Sequence, residues 1–92
     1  MSGILCAGNA AWDTLVRPVD EIRWGVSVWV DRITTGLGGN GANTAFAAAK
    51  LGASAAFWGS IGSDEAGDRI SECLRSAGVQ LGHVRISSLP SA

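Results

Sequence analysis

Four side chains and backbone positions of this chain have the types and spacing to hold a neutral polyhydroxylated ligand: Asp13, Gly39, Asn40 and Asn43. Three of them lie in the run Gly38-Gly39-Asn40-Gly41-Ala42-Asn43-Thr44-Ala45. Its glycines leave bare backbone that a small ligand can approach closely. The carboxamides of Asn40 and Asn43 bring both donors and acceptors to such a ligand. Asp13 adds a carboxylate able to bridge two adjacent hydroxyls with charge-assisted hydrogen bonds. A plain strand-to-helix turn, with Asn43 near the helix start, is the structural alternative for the run, and a turn-stabilising aspartate is the alternative for Asp13.

Two anionic-ligand readings compete for the same glycines. Gly36-Leu37-Gly38-Gly39-Asn40-Gly41 matches the G-x-G-x-x-G of dinucleotide sites, and Asp64 lies downstream at about the spacing of a ribose-binding acid. That fingerprint joins the first strand of its fold to the first helix. Here a whole strand-loop-strand region precedes it, and Asp64 follows Gly59-Ser60-Ile61-Gly62, where it is better placed to start a helix. A nucleotide-hydrolase phosphate loop needs Gly-Lys before Ser or Thr. The first lysine of the chain is Lys50, so that reading is rejected.

The elements that must position these groups read as strands alternating with helices. Ile4–Ala7 is an apolar strand closed by Gly8, followed by a loop from Asn9 to Asp13. Arg17-Pro18-Val19-Asp20 reads as a turn. Val26–Asp31 is β-branched and aromatic, hence strand, with the character continuing through Thr35. Ala42–Leu51 is an alanine-rich helix ended by Gly52, with Ala45, Phe46 and Ala49 on one face. Ala55–Trp58 is a buried strand. The next helix is capped by Ser63 or Asp64, carries Ala66, Ile70, Leu74 and Ala77 at helical spacing, and ends at Gly78. His83–Ile86 begins another strand. The alternation predicts an α/β fold with a parallel sheet flanked by helices.

Composition bounds the function classes. Ninety-two residues make one domain at most. Hydrophobic residues are 47% and charged residues only 16%, a balance that suits elements buried against something more than this chain supplies. The net charge is −1 and the basic residues are scattered, so neither nucleic acid nor an anionic membrane is an expected partner. Cys6 and Cys73 read as buried thiols and make no disulfide framework or metal site. No signal peptide or membrane span is read, which makes a cytoplasmic location the default. Trp58 is expected in the core, and His83 on the surface without a role.

Taken together, three segments resemble the N-terminal part of the ribokinase-like (PfkB-type) carbohydrate kinases. They are Gly8-Asn9-Ala10-Ala11-Trp12-Asp13; the Gly38–Ala45 run with Ala48, Leu51 and Gly52; and Gly59-Ser60-Ile61-Gly62-Ser63-Asp64-Glu65-Ala66-Gly67 with Leu74 and Gly78-Val79. The resemblance implies a ribokinase-like fold with a small β lid at about residues 23–36, incomplete at the C-terminus, and residues 1–92 as the N-terminal part of the kinase domain. It implies transfer of the γ-phosphate of ATP to a sugar hydroxymethyl group. Asp13, Gly39, Asn40 and Asn43 would contact the sugar or sugar-like alcohol, Asn40 standing where ribokinases often carry lysine. Trp12 would wall the sugar, while Trp24 and Trp29 on the lid would serve a homodimer contact. ATP and Mg2+ are implied as well. The family's catalytic aspartate in Gly-Ala-Gly-Asp and its Asn-x-x-Glu motif match nothing in these residues, so no catalytic, cofactor-binding or metal residue is named and the chain alone is expected to be inactive. The alternatives are a truncated sugar-binding or dimerisation module and a Rossmann-type dinucleotide-binding domain.

Overall fold

In the computed structural model, which describes residues 3–18 and 21–92, six strands and two helices form the expected α/β arrangement, with two strands, β2 and β5, that the pattern does not predict. Val19 and Asp20, part of the expected turn, lie outside the described residues. Strand β1 (Gly3–Ala7) runs parallel to β4 (Ser54–Trp58), with Cys6 opposite Phe57. Strand β5 (Ser60–Gly62) continues beyond Gly59 and pairs in parallel with β6 (Arg85–Ser87). Gln80 bridges Ala56, donating to the Ala55 carbonyl at 2.9 Å and accepting from Phe57 N–H at 3.1 Å. The β4–β5 line is therefore flanked by β1 on one edge and by Gln80 and β6 on the other.

Helix α1 (Asn40–Lys50) lies on β1 and β4, and its contact residues Gly41, Ala42 and Ala45 are buried. Small residues there let helix and sheet approach closely: a Cβ on Gly41 would stand 2.8 Å from the Gly8 Cα. Helix α2 (Glu65–Ser76) buries Gly67, Ile70 and Leu74. Asp64 is its N-cap, and its carboxylate accepts from Gly67 N–H at 2.8 Å. Both helices end in paired return bonds to the last turn. Gly52 N–H donates to Ala49 and Ala53 N–H to Ala48; likewise Gly78 N–H donates to Arg75 and Val79 N–H to Leu74. These satisfy carbonyls that a helix end otherwise leaves open. The core gathers Cys6, Phe57, Ile61, Ile70, Leu74 and Val79 between the layers.

Four expectations are corrected. The strand expected at Val26–Asp31 is absent, and the second hairpin strand, β3, runs over Arg32–Gly38. Its partner β2 (Ala11–Arg17) takes in Asp13, which was expected in a loop. Of the lid strands expected at about residues 23–36, only 32–36 lie in a strand, β3, and the other hairpin strand, β2, lies well before that range. Trp58 is 58% exposed and not core, because it sits at the end of β4 on the face opposite α1. Cys6 is buried as expected, but Cys73 is only half-buried on the flank of α2. His83 is exposed.

Candidate functional site

The β2–β3 hairpin and the start of α1 together place the four expected residues. β2 and β3 are antiparallel, with Ala11 opposite Gly38 and Asp13 opposite Gly36. Successive strand residues point to opposite faces, so Asp13 shares a face with Gly36 and Gly38. Neither partner has a side chain, and the Asp13 carboxylate lies directly over Gly38, where an added Cβ would overlap it. Trp12 and its partner Leu37 take the other face and pack against the core. Trp12 is therefore no wall beside Asp13, and the half-buried ring borders α2 near Ala66 and Arg69.

Gly39 is the N-cap of α1, at φ 92°, with no side-chain cap of its own. The missing cap comes from Asn9, which lies 31 residues before Asn40. Its Oδ1 accepts from Asn40 N–H at 2.9 Å, and its carbonyl accepts from Ala42 N–H at 3.1 Å. The backbone of Asn40 is thus engaged, while its side chain is exposed, as are those of Asp13 and Asn43. Asn40 and Asn43 stand three apart and share one helix face. None of the three side chains hydrogen-bonds another described residue. The result is a carboxylate just ahead of the positive end of α1, followed by two open carboxamides.

Asn9 was not singled out from the sequence. The signal was its place directly after Gly8 at the end of an apolar strand, but its partner is far away in the chain. Asn9 also faces a cleft of about 510 Å3 between Gly8–Ala10, the Gly59–Gly62 stretch and the segment from Leu89 to Ala92. This cleft adjoins the hairpin site and does not include Asp13 or Asn43.

Asp64, expected as a cap, does more than cap. Its Oδ1 also accepts from Ser91 Oγ at 2.7 Å, and its Oδ2 from Ser91 N–H at 2.8 Å. The bonds from Ser91, backbone first and hydroxyl second, and then the Gly67 N–H hold its carboxyl below the ordinary 3.8. A carboxylate with a lowered folded-state pKa stabilises the fold fully above its unfolded pKa and loses that effect as pH falls through the folded value. The stability gap between wild type and Asp64→Ala, followed by urea unfolding, should be constant near neutral pH and shrink on acidification below about pH 4.

The sequence profile of the pfkB family carbohydrate kinases matches residues 1–88. The chain belongs to that family. Solved structures of carbohydrate kinases superpose on nearly all of this family member. A ribokinase from Cryptococcus neoformans var. grubii serotype A in complex with ADP is 33% identical, with TM-score 0.81 over 96% of this chain and 28% of its own. A fructokinase from Xylella fastidiosa is 34% identical, with TM-score 0.77 over 94% of this chain and 26% of its own. The Arabidopsis thaliana ribokinase complexed with ribose and ATP is 32% identical, with TM-score 0.84 over 97% of this chain and 30% of its own. This pfkB chain therefore spans less than a third of those relatives. No curated protein matches it.

Membership decides against the dinucleotide alternative, and the geometry gives the reason. The glycine run joins a hairpin strand to α1, not the first sheet strand to its helix. Two of the N-terminal amides that would meet a pyrophosphate already donate to Asn9. Among the described residues, no three His, Cys, Asp or Glu side chains gather to hold a metal. No helix among the described residues is long and apolar enough to cross a membrane.

Proposed function

We propose that these 92 residues hold the sugar of an ATP-dependent kinase that phosphorylates a hydroxymethyl group of a sugar or sugar-like alcohol. One observation carries the reading: the exposed Asp13 carboxylate lies over the bare Gly38 backbone, directly before the Gly39 cap and the Asn43-bearing turn of α1. Vicinal hydroxyls both donate and accept. The carboxylate accepts hydrogen bonds from two hydroxyls, Gly39 offers backbone, and the Asn43 carboxamide both donates and accepts. Asn40 extends the same helix face with a neutral group.

The likeness to ribokinases and fructokinases, one of them a complex with ribose and ATP, supports a sugar as substrate and ATP as phosphoryl donor. No residue of this chain is assigned to ATP, to Mg2+ or to the catalytic base. The 92 residues alone are accordingly proposed to bind sugar without turning it over. The hairpin is proposed as the lid that covers the sugar and keeps out water, which competes for the phosphoryl group. Trp24 and Trp29, both fully exposed in the segment joining its strands, support a homodimer contact through the lid. A cytoplasmic setting belongs to the same proposal.

Calorimetric titration of the chain with ribose and fructose tests the sugar reading. Asp13→Ala should weaken binding of the preferred sugar by about 1.5–3 kcal/mol, roughly 10- to 150-fold, because two hydroxyls lose a charged acceptor. Equal affinity in the variant would remove Asp13 from the site.

A further inference from the structure

We infer that Asp64 is a positioning residue for the Asp13 side of the site, acting through Ser91, Ala92 and Trp12. The segment from Leu89 to Ala92 is fastened on two sides, at Ser91 and at Ala92. On one side, both oxygens of the Asp64 carboxylate accept from Ser91, and the same Ser91 hydroxyl accepts from Gly62 N–H at 2.8 Å. The fit is close, since a Cβ on Gly62 would stand 2.5 Å from the Ser91 nitrogen and 2.6 Å from the Leu89 carbonyl oxygen. On the other side, the Ala92 carbonyl accepts from Trp12 N–H at 2.9 Å.

That last bond matters because of where β2 lies. One edge of β2 is paired with β3. The Trp12 N–H points to the other edge, and Ala92 is its partner. Trp12 directly precedes Asp13, so this bond fixes the backbone that aims the carboxylate over Gly38. A single side chain at the start of α2 thus anchors, through Ser91 and Ala92, the edge of β2 that β3 leaves free. The carboxylate suits the task because it accepts three bonds at once: Gly67 N–H, Ser91 N–H and Ser91 Oγ–H. A serine at the same position can still cap the helix but is too short to reach Ser91 as well.

The effect on ligand rests on the sugar-binding reading; the effect on Trp12 does not. The test compares wild type with Asp64→Ser and with Ser91→Ala, reading amide hydrogen exchange and affinity for ribose and fructose. Asp64→Ser should speed exchange at the Trp12 amide tenfold or more and weaken sugar binding at least fivefold. Exchange at Ile70 and Leu74, inside the still-capped α2, should be unchanged. Ser91→Ala, which keeps the backbone arm, should give a smaller change in the same direction. Unaltered Trp12 exchange in Asp64→Ser would overturn the inference, as would a freed Trp12 with undiminished sugar affinity. A wild-type chain that binds neither sugar would instead defeat the sugar reading, and exchange at Trp12 would still decide whether Asp64 holds β2.

Discussion

Gly39→Ala is expected to destabilise the chain by about 3 kcal/mol and to abolish sugar binding. Gly39 sits at φ 92°, a region that costs a residue with a side chain. A Cβ there would also stand 2.5 Å from the Asn9 carbonyl oxygen and 2.8 Å from the Ala10 Cα. Both neighbours are backbone, so no rotamer change relieves the contact. The atom displaced is the same carbonyl that accepts from Ala42 N–H, so the strain spreads into the cap of α1. Urea unfolding measures the loss, with Gly36→Ala as the control. Gly36 has open space around its would-be Cβ and should change stability little. A Gly39→Ala loss as small as that of the control would contradict the geometry at the strand-to-helix junction.

Phe57→Ala should cost about 3–5 kcal/mol, the usual range for emptying a fully buried aromatic site. Phe57 has no solvent exposure and belongs to the core cluster that Cys6, Ala42, Ala45, Ile70 and Leu74 also form. The ring also packs beneath Gly59, which lines the cleft: a Cβ on Gly59 would stand 2.5 Å from its Cζ. Losing the ring removes packing from both layers and from the floor under Gly59. For a domain of this size each kcal/mol moves the midpoint by about 4–8 °C, so the thermal midpoint should fall by about 12 °C or more. A midpoint within a few degrees of wild type would mean that the core does not depend on this residue.

The helices were legible because their signals are local. Alanine content and Gly52 delimit α1, while Asp64 and Gly78 bracket α2, and in both the structure agrees to within about two residues. The hairpin was less legible. Val26–Asp31 has strand-favouring residues, but such preferences express packing on a half-buried sheet. Val28 and Trp29 are exposed and no strand covers them. Ala11–Arg17 has a weaker composition and becomes β2 because Arg32–Gly38 supplies its edge. Trp58 misled for a related reason, since an apolar run does not say which face of the sheet a helix will cover.

The candidate site divides the same way. Asp13, Gly39, Asn40 and Asn43 could be named from type and spacing, and the structure places Asp13 beside the strand-to-helix junction that Gly39 and the asparagines occupy. Asn9 and Ser91 could not be named, because their partners lie 31 and 27 residues away in the chain. Only the fold brings those groups together.

The most direct test of the central claim is to titrate the isotope-labelled chain with ribose and with fructose and follow every backbone amide by NMR. Sugar held as proposed should shift the amides of Trp12 and Asp13 and those from Gly38 to Asn43, saturably and in one binding step. Shifts confined to other parts of the chain, or none with either sugar, would contradict the assignment of this junction as the sugar site.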